Sequence, residues 1–104
     1  MSEKLKNQSD FKSAIIYKTE RGDDLFGIAE KFSTTAQILV SENALKSEPL
    51  CGELLYIEIP CGERYIIKPG DTLESVSRKF GKSELETADK NKIDGVYVGQ
   101  TIYI

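Results

Sequence analysis

The sequence predicts an α+β fold made of two tandem βααβ units, each a two-stranded antiparallel sheet packed against two helices. Three observations support this prediction. The chain of 104 residues repeats itself once, each copy carries strand and helix patterns in the order strand, helix, helix, strand, and each closing segment alternates apolar with other residues. Because no hairpin joins the two strands of a unit, antiparallel pairing beneath the two helices is the most economical arrangement.

The internal repeat divides the chain into a tail and two units. Identical residues recur at an offset of 48, which becomes 47 after one deletion in the second copy. We predict a flexible N-terminal tail at 1–13, a first unit at 14–60 and a second unit at 61–104, joined at the turn-prone residues 60–62. The matches include Tyr17 with Tyr65, Gly22-Asp23 with Gly70-Asp71, Phe32 with Phe80, Asn43 with Asn91, and Tyr56-Ile57 with Tyr103-Ile104.

Each unit opens with a short strand, predicted at 15–19 and 65–67, followed by a tight turn and a two-turn helix. The Asp-Asp and Asp-Thr pairs at 23–24 and 71–72 supply natural N-caps, and Ser33 and Gly81 end the helices. The helices are predicted from apolar or small residues at spacings i, i+3, i+4 and i+7, which are Leu25, Ile28, Ala29 and Phe32 in one unit and Leu73, Val76, Ser77 and Phe80 in the other.

A second helix in each unit begins near Thr35 and Ser83 and ends around Asn43 and Asn91, whose side chains we expect to bond local backbone. Ser83 with Glu86 forms a capping-box pattern.

The closing strands are predicted at 54–59 and 101–104. Alternation turns Leu55, Ile57 and Ile59, and likewise Ile102 and Ile104, toward the helices. Tyr56 and Tyr103 then point to the uncovered face of each sheet. There they form either partly exposed cross-strand pairs with Lys18 or Ile66, or a contact between the two units.

Composition argues against an enzyme. The chain has no histidine, which excludes Ser-His-Asp and Cys-His catalysis and every His-ligated metal site. Cys51 and Cys61 flank a predicted strand of roughly 23 Å, too long for an intramolecular disulfide. We expect Cys51 to be a small buried apolar residue and Cys61 a linker residue, with an intermolecular disulfide as the alternative. No catalytic residue, cofactor or metal site is predicted.

The charge and hydropathy patterns limit the kinds of partner that the chain is expected to bind. The net charge is −3, divided as +1 in 1–13, −4 in 14–60 and zero in 61–104, and no basic stripe suits nucleic acid or an anionic membrane. No apolar run is long enough to span a bilayer, and residues 1–13 do not form a secretory signal peptide. We therefore expect synthesis in the cytoplasm and a ligand without strong charge.

The repeated pattern resembles the LysM family. The second unit is the closer match, with Tyr65, then Pro69-Gly70-Asp71-Thr72-Leu73, then Val98-Gly99-Gln100. The resemblance covers about 90 residues and occurs twice. It implies a βααβ fold, binding of polymers that contain N-acetylglucosamine, such as peptidoglycan or chitin, and no catalytic residue in the module. It also implies action at a cell wall or a spore surface.

By the same resemblance, a sugar groove lies between the turn that enters the first helix and the loop that enters the last strand. Backbone groups at the turn can bond an acetamide, and small apolar surfaces can take a pyranose face. The implied glycan-binding residues of the second unit are Gly70, Asp71, Thr72, Leu73 and Glu74 opposite Ile93, Asp94, Gly95, Val96 and Tyr97. Those of the first unit are Gly22, Asp23, Asp24, Leu25 and Phe26 opposite Leu45, Lys46, Ser47, Glu48, Pro49 and Leu50.

Several of these residues have a structural alternative. Phe26 and Tyr97 either stack on a sugar ring or pack locally, and Asp23 and Asp71 are turn formers or caps rather than ligand contacts. The first unit carries Asp24, Glu48 and Glu53, so that it is a weaker binder or a spacer. The alternative function is a structural or assembly module, in a spore coat or virion, that binds a protein partner.

Overall fold

The computed structural model describes residues 11–104 and confirms the α+β fold of two βααβ units. The first unit comprises β1 (Phe11–Lys18), α1 (Leu25–Phe32), α2 (Ala36–Asn43) and β2 (Leu54–Pro60). The second comprises β3 (Arg64–Ile66), α3 (Leu73–Lys79), α4 (Glu84–Asn91) and β4 (Thr101–Tyr103).

Each unit has its own two-stranded antiparallel sheet, β1 with β2 and β3 with β4. Strand β1 begins at Phe11, before the predicted start at residue 15, and Ser13 pairs with Ile59. Residues 11–13, which the sequence analysis assigns to the N-terminal tail, therefore belong to the strand. The remainder of that tail, 1–10, lies outside the described residues.

Each unit has an apolar core of its own, as the alternation and the helical spacings predict. In the first unit Ile28, Ala29, Leu39, Leu55 and Ile57 are buried against one another. The second core is smaller and consists of Ile67, Val76, Ile102 and Ile104, with Tyr65, Phe80, Ile93 and Val96 packed against it. Each core is a single layer between a narrow sheet and two short helices.

The helices begin where the polar residues predict. Asp24, Thr35, Thr72 and Ser83 are the N-caps, and each side chain accepts a hydrogen bond from a backbone N–H in the first turn. The capping box of Ser83 and Glu86 is present. Ser33 ends α1 in the left-handed conformation with φ at 57°, and the first helix of the second unit ends just before Gly81, where φ is 73°.

Asn43 and Asn91 tie the end of each second helix to the closing strand. Asn91 Nδ2 donates to the Tyr103 carbonyl at 2.8 Å, and Asn91 Oδ1 accepts from the Tyr103 N–H at 2.8 Å. Asn43 makes the same pair of bonds to Tyr56. The predicted local bonds, to the carbonyls of Leu39 and Thr87, are also present. The sequence analysis missed the bonds that reach the strand.

The two tyrosines on the outer sheet faces have different environments. Tyr56 is 40% exposed, whereas Tyr103 is only 7% exposed, and burial raises the pKa of its phenol. The cross-strand partners are Ile16 and Arg64, not the predicted Lys18 and Ile66. Arg64, beside Tyr103, forms an ion pair of 3.3 Å with Glu30 on α1. Tyr103 thus lies at a contact between the units, while Tyr56 remains partly exposed.

Backbone hydrogen bonds tie the first residues of the second unit to its last residue. The Glu63 N–H donates to the Ile104 carbonyl at 3.1 Å, and the Ile104 N–H donates back at 2.9 Å. Gly62 has φ of 99° and lies so close to the Ile104 carbonyl that any side chain would collide with it. The start of the second unit is therefore fixed against its end.

The cysteines differ in part from expectation. Both are free thiols, in agreement with the absence of an intramolecular bridge, but Cys51 is exposed on the turn before β2 and not buried. Its small apolar side chain did not determine its burial, because the turn carries Cys51 away from the core. Within residues 11–104, every helix is too short or too polar to cross a membrane.

Candidate functional site

The turn that enters the first helix of each unit is built around an aspartate. Asp23 accepts hydrogen bonds from the Tyr17 hydroxyl at 2.6 Å and the Glu20 N–H at 2.8 Å. Asp71 accepts the same two bonds, from Tyr65 and the Lys68 N–H, at the same distances. These bonds, the tyrosine's first, lower the pKa of both carboxyls. Asp23 and Asp71 therefore shape the turn, and the residues after them cap the helix.

In the second unit the predicted groove residues Leu73, Ile93 and Asp94 line one concave surface. Its other wall is α4, which contributes Leu85 and Ala88 together with the charged residues Glu84, Asp89 and Lys92. The sequence analysis missed this wall. Leu85 is an exposed apolar residue outside the expected buried faces, and that is the signal that could have found it.

Other predicted residues of the second unit lie at the edges of this surface. Thr72 caps α3 and forms a reciprocal capping box with Ser75. The exposed Glu74 pairs with Arg78 at 2.7 Å, one helical turn away. Asp94, Gly95, Val96 and Tyr97 line a neighbouring concavity together with Gln37 of α2 in the first unit.

In each unit, the residue directly before the closing strand holds the loop that enters that strand. In the second unit Gln100 Oε1 accepts from the Tyr97 N–H at 3.0 Å. In the first unit Glu53 Oε1 accepts from the Leu50 N–H at 2.9 Å. Glu53 therefore accepts the same hydrogen bond as Gln100 does, and its carboxylate holds the loop in the first unit.

In the first unit, the side chain of Glu48 spans the predicted groove. Glu48 Oε1 accepts a hydrogen bond of 2.8 Å from the Leu25 N–H, at the start of α1. Asp24 Oδ1 accepts from the Gly27 N–H at 2.7 Å in the same turn. A helix N-terminus favours negative charge, so that both carboxylates are well placed there. No described residue provides an acceptor for the equivalent N–H of Leu73.

The remaining first-unit residues do not converge on one surface. Leu45 packs against the core. Lys46, Ser47 and Leu50 are exposed, and Pro49 is half-buried. The Leu50 carbonyl accepts from the Thr19 hydroxyl at 2.5 Å. The loop from 45 to 50 is thus tied to the sheet and to the helix start.

Phe26 and Tyr97 come together although they belong to different units. Phe26 is 70% exposed and Tyr97 is 57% exposed, and both line a cleft of about 450 Å³ between the units. The sequence analysis assigns them to two separate grooves, because a pattern within one unit says nothing about the placement of its neighbour.

The repeated segments match a known family and several known proteins. The family model for the LysM domain matches residues 17–49 and 65–104. The chain is 33% identical over 91 residues to the cell wall-binding protein YocH of Bacillus subtilis (strain 168), covering 82% of this chain and 32% of that protein. It is 31% identical over 104 residues to the probable peptidoglycan endopeptidase LytE of the same organism, covering 86% and 31%.

The chain spans about a third of the length of these relatives. Among solved structures, the spore cortex-lytic enzyme SleL of Bacillus megaterium QM B1551 matches with a TM-score of 0.43 and 30% identity, over 88% of this chain and 22% of that one.

Proposed function

The chain belongs to the LysM domain family, and we propose that it is a non-catalytic protein that binds polymers containing N-acetylglucosamine, with the second unit as the principal site. The observation that carries the proposal is the concave surface where Leu73 and Ile93 face α4. It joins apolar side chains to polar groups at a helix start, as recognition of a sugar ring requires.

The chemistry of this surface suits an acetylated sugar. Leu85 and Ile93 offer apolar area for a pyranose face or an acetamide methyl, while Leu73 is nearly buried at the base of the surface. The Leu73 N–H, at the start of α3, is placed to donate to a carbonyl or hydroxyl oxygen. Asp89, Asp94 and Lys92 at the edges can bond sugar hydroxyls. A shallow surface of this kind gives weak, orientation-specific binding.

The relatives support a cell-wall polymer as the ligand. One is named a cell wall-binding protein and another a probable peptidoglycan endopeptidase. This chain contains no histidine and matches about a third of each. We therefore propose that this chain binds the same kind of polymer, with a cell wall or spore surface as its place of action.

The first unit is the weaker partner in this proposal. Glu48 already occupies the Leu25 N–H, and Asp24 adds a second carboxylate at the same helix start. A neutral sugar must displace the first, and an anionic peptidoglycan stem would be repelled by both.

An assembly module is the second candidate, and one observation favours it. The outer face of the first sheet exposes Ile16, Leu54 and Tyr56 side by side. An exposed apolar patch on a small protein is a feature of protein-contact surfaces.

A pull-down with insoluble peptidoglycan, followed by release with chitotetraose, separates the two candidates. We expect the full chain to bind and the tetrasaccharide to release it. Leu85→Ala should weaken binding about threefold to tenfold, or about 0.7–1.4 kcal/mol. The matched control is Leu54→Ala, an exposed leucine on the outer sheet face (63%, against 75% for Leu85), which should bind as the wild type does. Retention that chitotetraose cannot reverse, or that only Leu54→Ala weakens, would favour the assembly role.

A further inference from the structure

The cleft between the units is built from both of them. Ala29, Glu30 and Thr34, on α1 and the turn that follows it, form one wall. The other wall comes from the second sheet, with Arg64 on β3 and Tyr103 on β4. Across the cleft, Arg64 forms an ion pair of 3.3 Å with Glu30, which joins the two walls.

The lining of the cleft combines aromatic surface with uncharged polar groups. Phe26 and Tyr97 both line the cleft and are largely exposed. The polar groups include Gln37, Gln100 and Thr101. The charged pair in the lining, Glu30 and Arg64, is self-compensated. This composition suits a neutral ligand with apolar faces and many hydroxyl or amide groups.

The cleft continues toward the proposed groove of the second unit. Gln37, Tyr97 and Gln100 line both the cleft and the concavity beside it, which also includes Ile93 and Asp94. Ile93 and Asp94 in turn line the concave surface at Leu73 and α4. Concave surface thus runs without a break from the groove, past Tyr97, into the cleft.

We propose that the inter-unit cleft is a further saccharide subsite, in which Phe26 stacks on a pyranose ring of the same glycan chain that occupies the second unit's groove. This inference rests on the proposed function, since it extends that site along one polymer. The first unit then contributes to binding through its helix α1 and not through a groove of its own. One oligosaccharide is bound per protein chain, and longer oligosaccharides bind more tightly.

NMR of the ¹⁵N-labelled full chain titrated with chitohexaose tests the placement. We expect the amides of Glu30, Thr34 and Thr101, which lie in the cleft and outside both family grooves, to shift together with those of Leu73 and Ile93 at one dissociation constant. Shifts at Leu73 and Ile93 with none in the cleft would overturn the inference and leave the proposed function standing. No shift anywhere would overturn both.

Calorimetry with two ligand lengths gives an independent test. Phe26→Ala should weaken chitohexaose binding at least fivefold and chitobiose binding less than twofold, because only the longer ligand reaches the cleft. Tyr56→Val, which removes an exposed aromatic from the outer face of the first sheet, is the matched control and should change neither. A stoichiometry of two ligands per chain, or equal losses for both lengths, would instead place Phe26 in a separate first-unit site and contradict the subsite.

Discussion

Glu48 Oε1 accepts a hydrogen bond of 2.8 Å from the backbone N–H of Leu25, 23 residues earlier in the chain. The bond closes the first unit's turn and loop onto each other with a side chain of the protein itself. Among residues 11–104, no side chain makes such a bridge at Leu73. The two units therefore share a fold while presenting different surfaces at equivalent places.

Removing that bridge should open the first unit to ligand. We expect Glu48→Ala to raise the number of chitotetraose molecules bound per chain from one toward two, because the Leu25 N–H is freed and a negative charge is lost. Calorimetric stoichiometry measures this. Glu53→Ala, which removes a carboxylate that holds the loop at Leu50, is the control and should add no site. Unchanged stoichiometry in Glu48→Ala would show that the bridge does not limit binding.

Asn91→Ala should be strongly destabilising. Asn91 is 1% exposed, and its loss leaves the N–H and carbonyl of Tyr103 without their side-chain partners, at about 1–3 kcal/mol for each buried group left unpaired. Asn43→Ala removes the same bonds at a half-buried position and should cost less. Urea unfolding of both variants measures the difference. Equal costs would mean that burial does not govern the contribution.

The two phenylalanines of α1 should differ in their effect on stability. Phe26 is mostly exposed, whereas Phe32 packs on the first core and meets the Tyr17 ring edge-on at 5.0 Å. We expect Phe32→Ala to lower the free energy of unfolding by about 3 kcal/mol, the lower end for Phe→Ala, and Phe26→Ala by under about 0.5 kcal/mol. Thermal unfolding is the measurement, and similar losses would place Phe26 in a core.

Low pH should destabilise the fold because it protonates Asp23 and Asp71, the two aspartates of the turns. Their pKa values are lowered from 3.8 mainly by the bonds from Tyr17 and Tyr65, so that their stabilisation is complete above about pH 4 and is lost as pH falls through the lowered pKa. We expect Tyr65→Phe to be less stable than wild type at pH 6, with the difference shrinking toward pH 2. Urea midpoints across that range measure it, with Tyr17→Phe behaving alike. A difference that is constant with pH would contradict this linkage.

Glycan affinity should be nearly flat between about pH 6 and pH 8. The chain has no histidine to titrate there, and chitooligosaccharides are uncharged. The pKa of Glu42 is raised, chiefly by a hydrogen bond with Glu58, but Glu42 lines neither the groove nor the cleft. Calorimetry in fixed salt is the test. A fivefold change in affinity within this range would contradict the expectation.

The sequence predicted what local patterns determine. The repeat, the helix starts at Asp24, Thr72 and Ser83, and the inward faces of the closing strands all follow from spacing and capping within a few residues. Glu53 holding the loop at Leu50 could also have been foreseen, since Gln100 stands at the equivalent place.

The sequence did not predict contacts that depend on how the units are placed. The burial of Tyr103, the Glu30–Arg64 ion pair and the shared cleft of Phe26 and Tyr97 all require the observed packing across the joint. Cys51 is a different kind of error. Its exposure depends on the course of one turn, which an apolar residue type does not specify.

The two units contact each other through different surfaces, so the molecule has a direction from one unit to the other. One unit offers the flank of its first helix and the other offers the outer face of its sheet, so that the pairing is head-to-tail and has no two-fold axis. A pairing of that kind always leaves one surface of each sort unused, and here the unused sheet face carries Tyr56. Tyr56 and Tyr103 therefore occupy the same position in the repeat but have different surroundings. Tyr56 faces solvent, whereas Tyr103 faces the first unit.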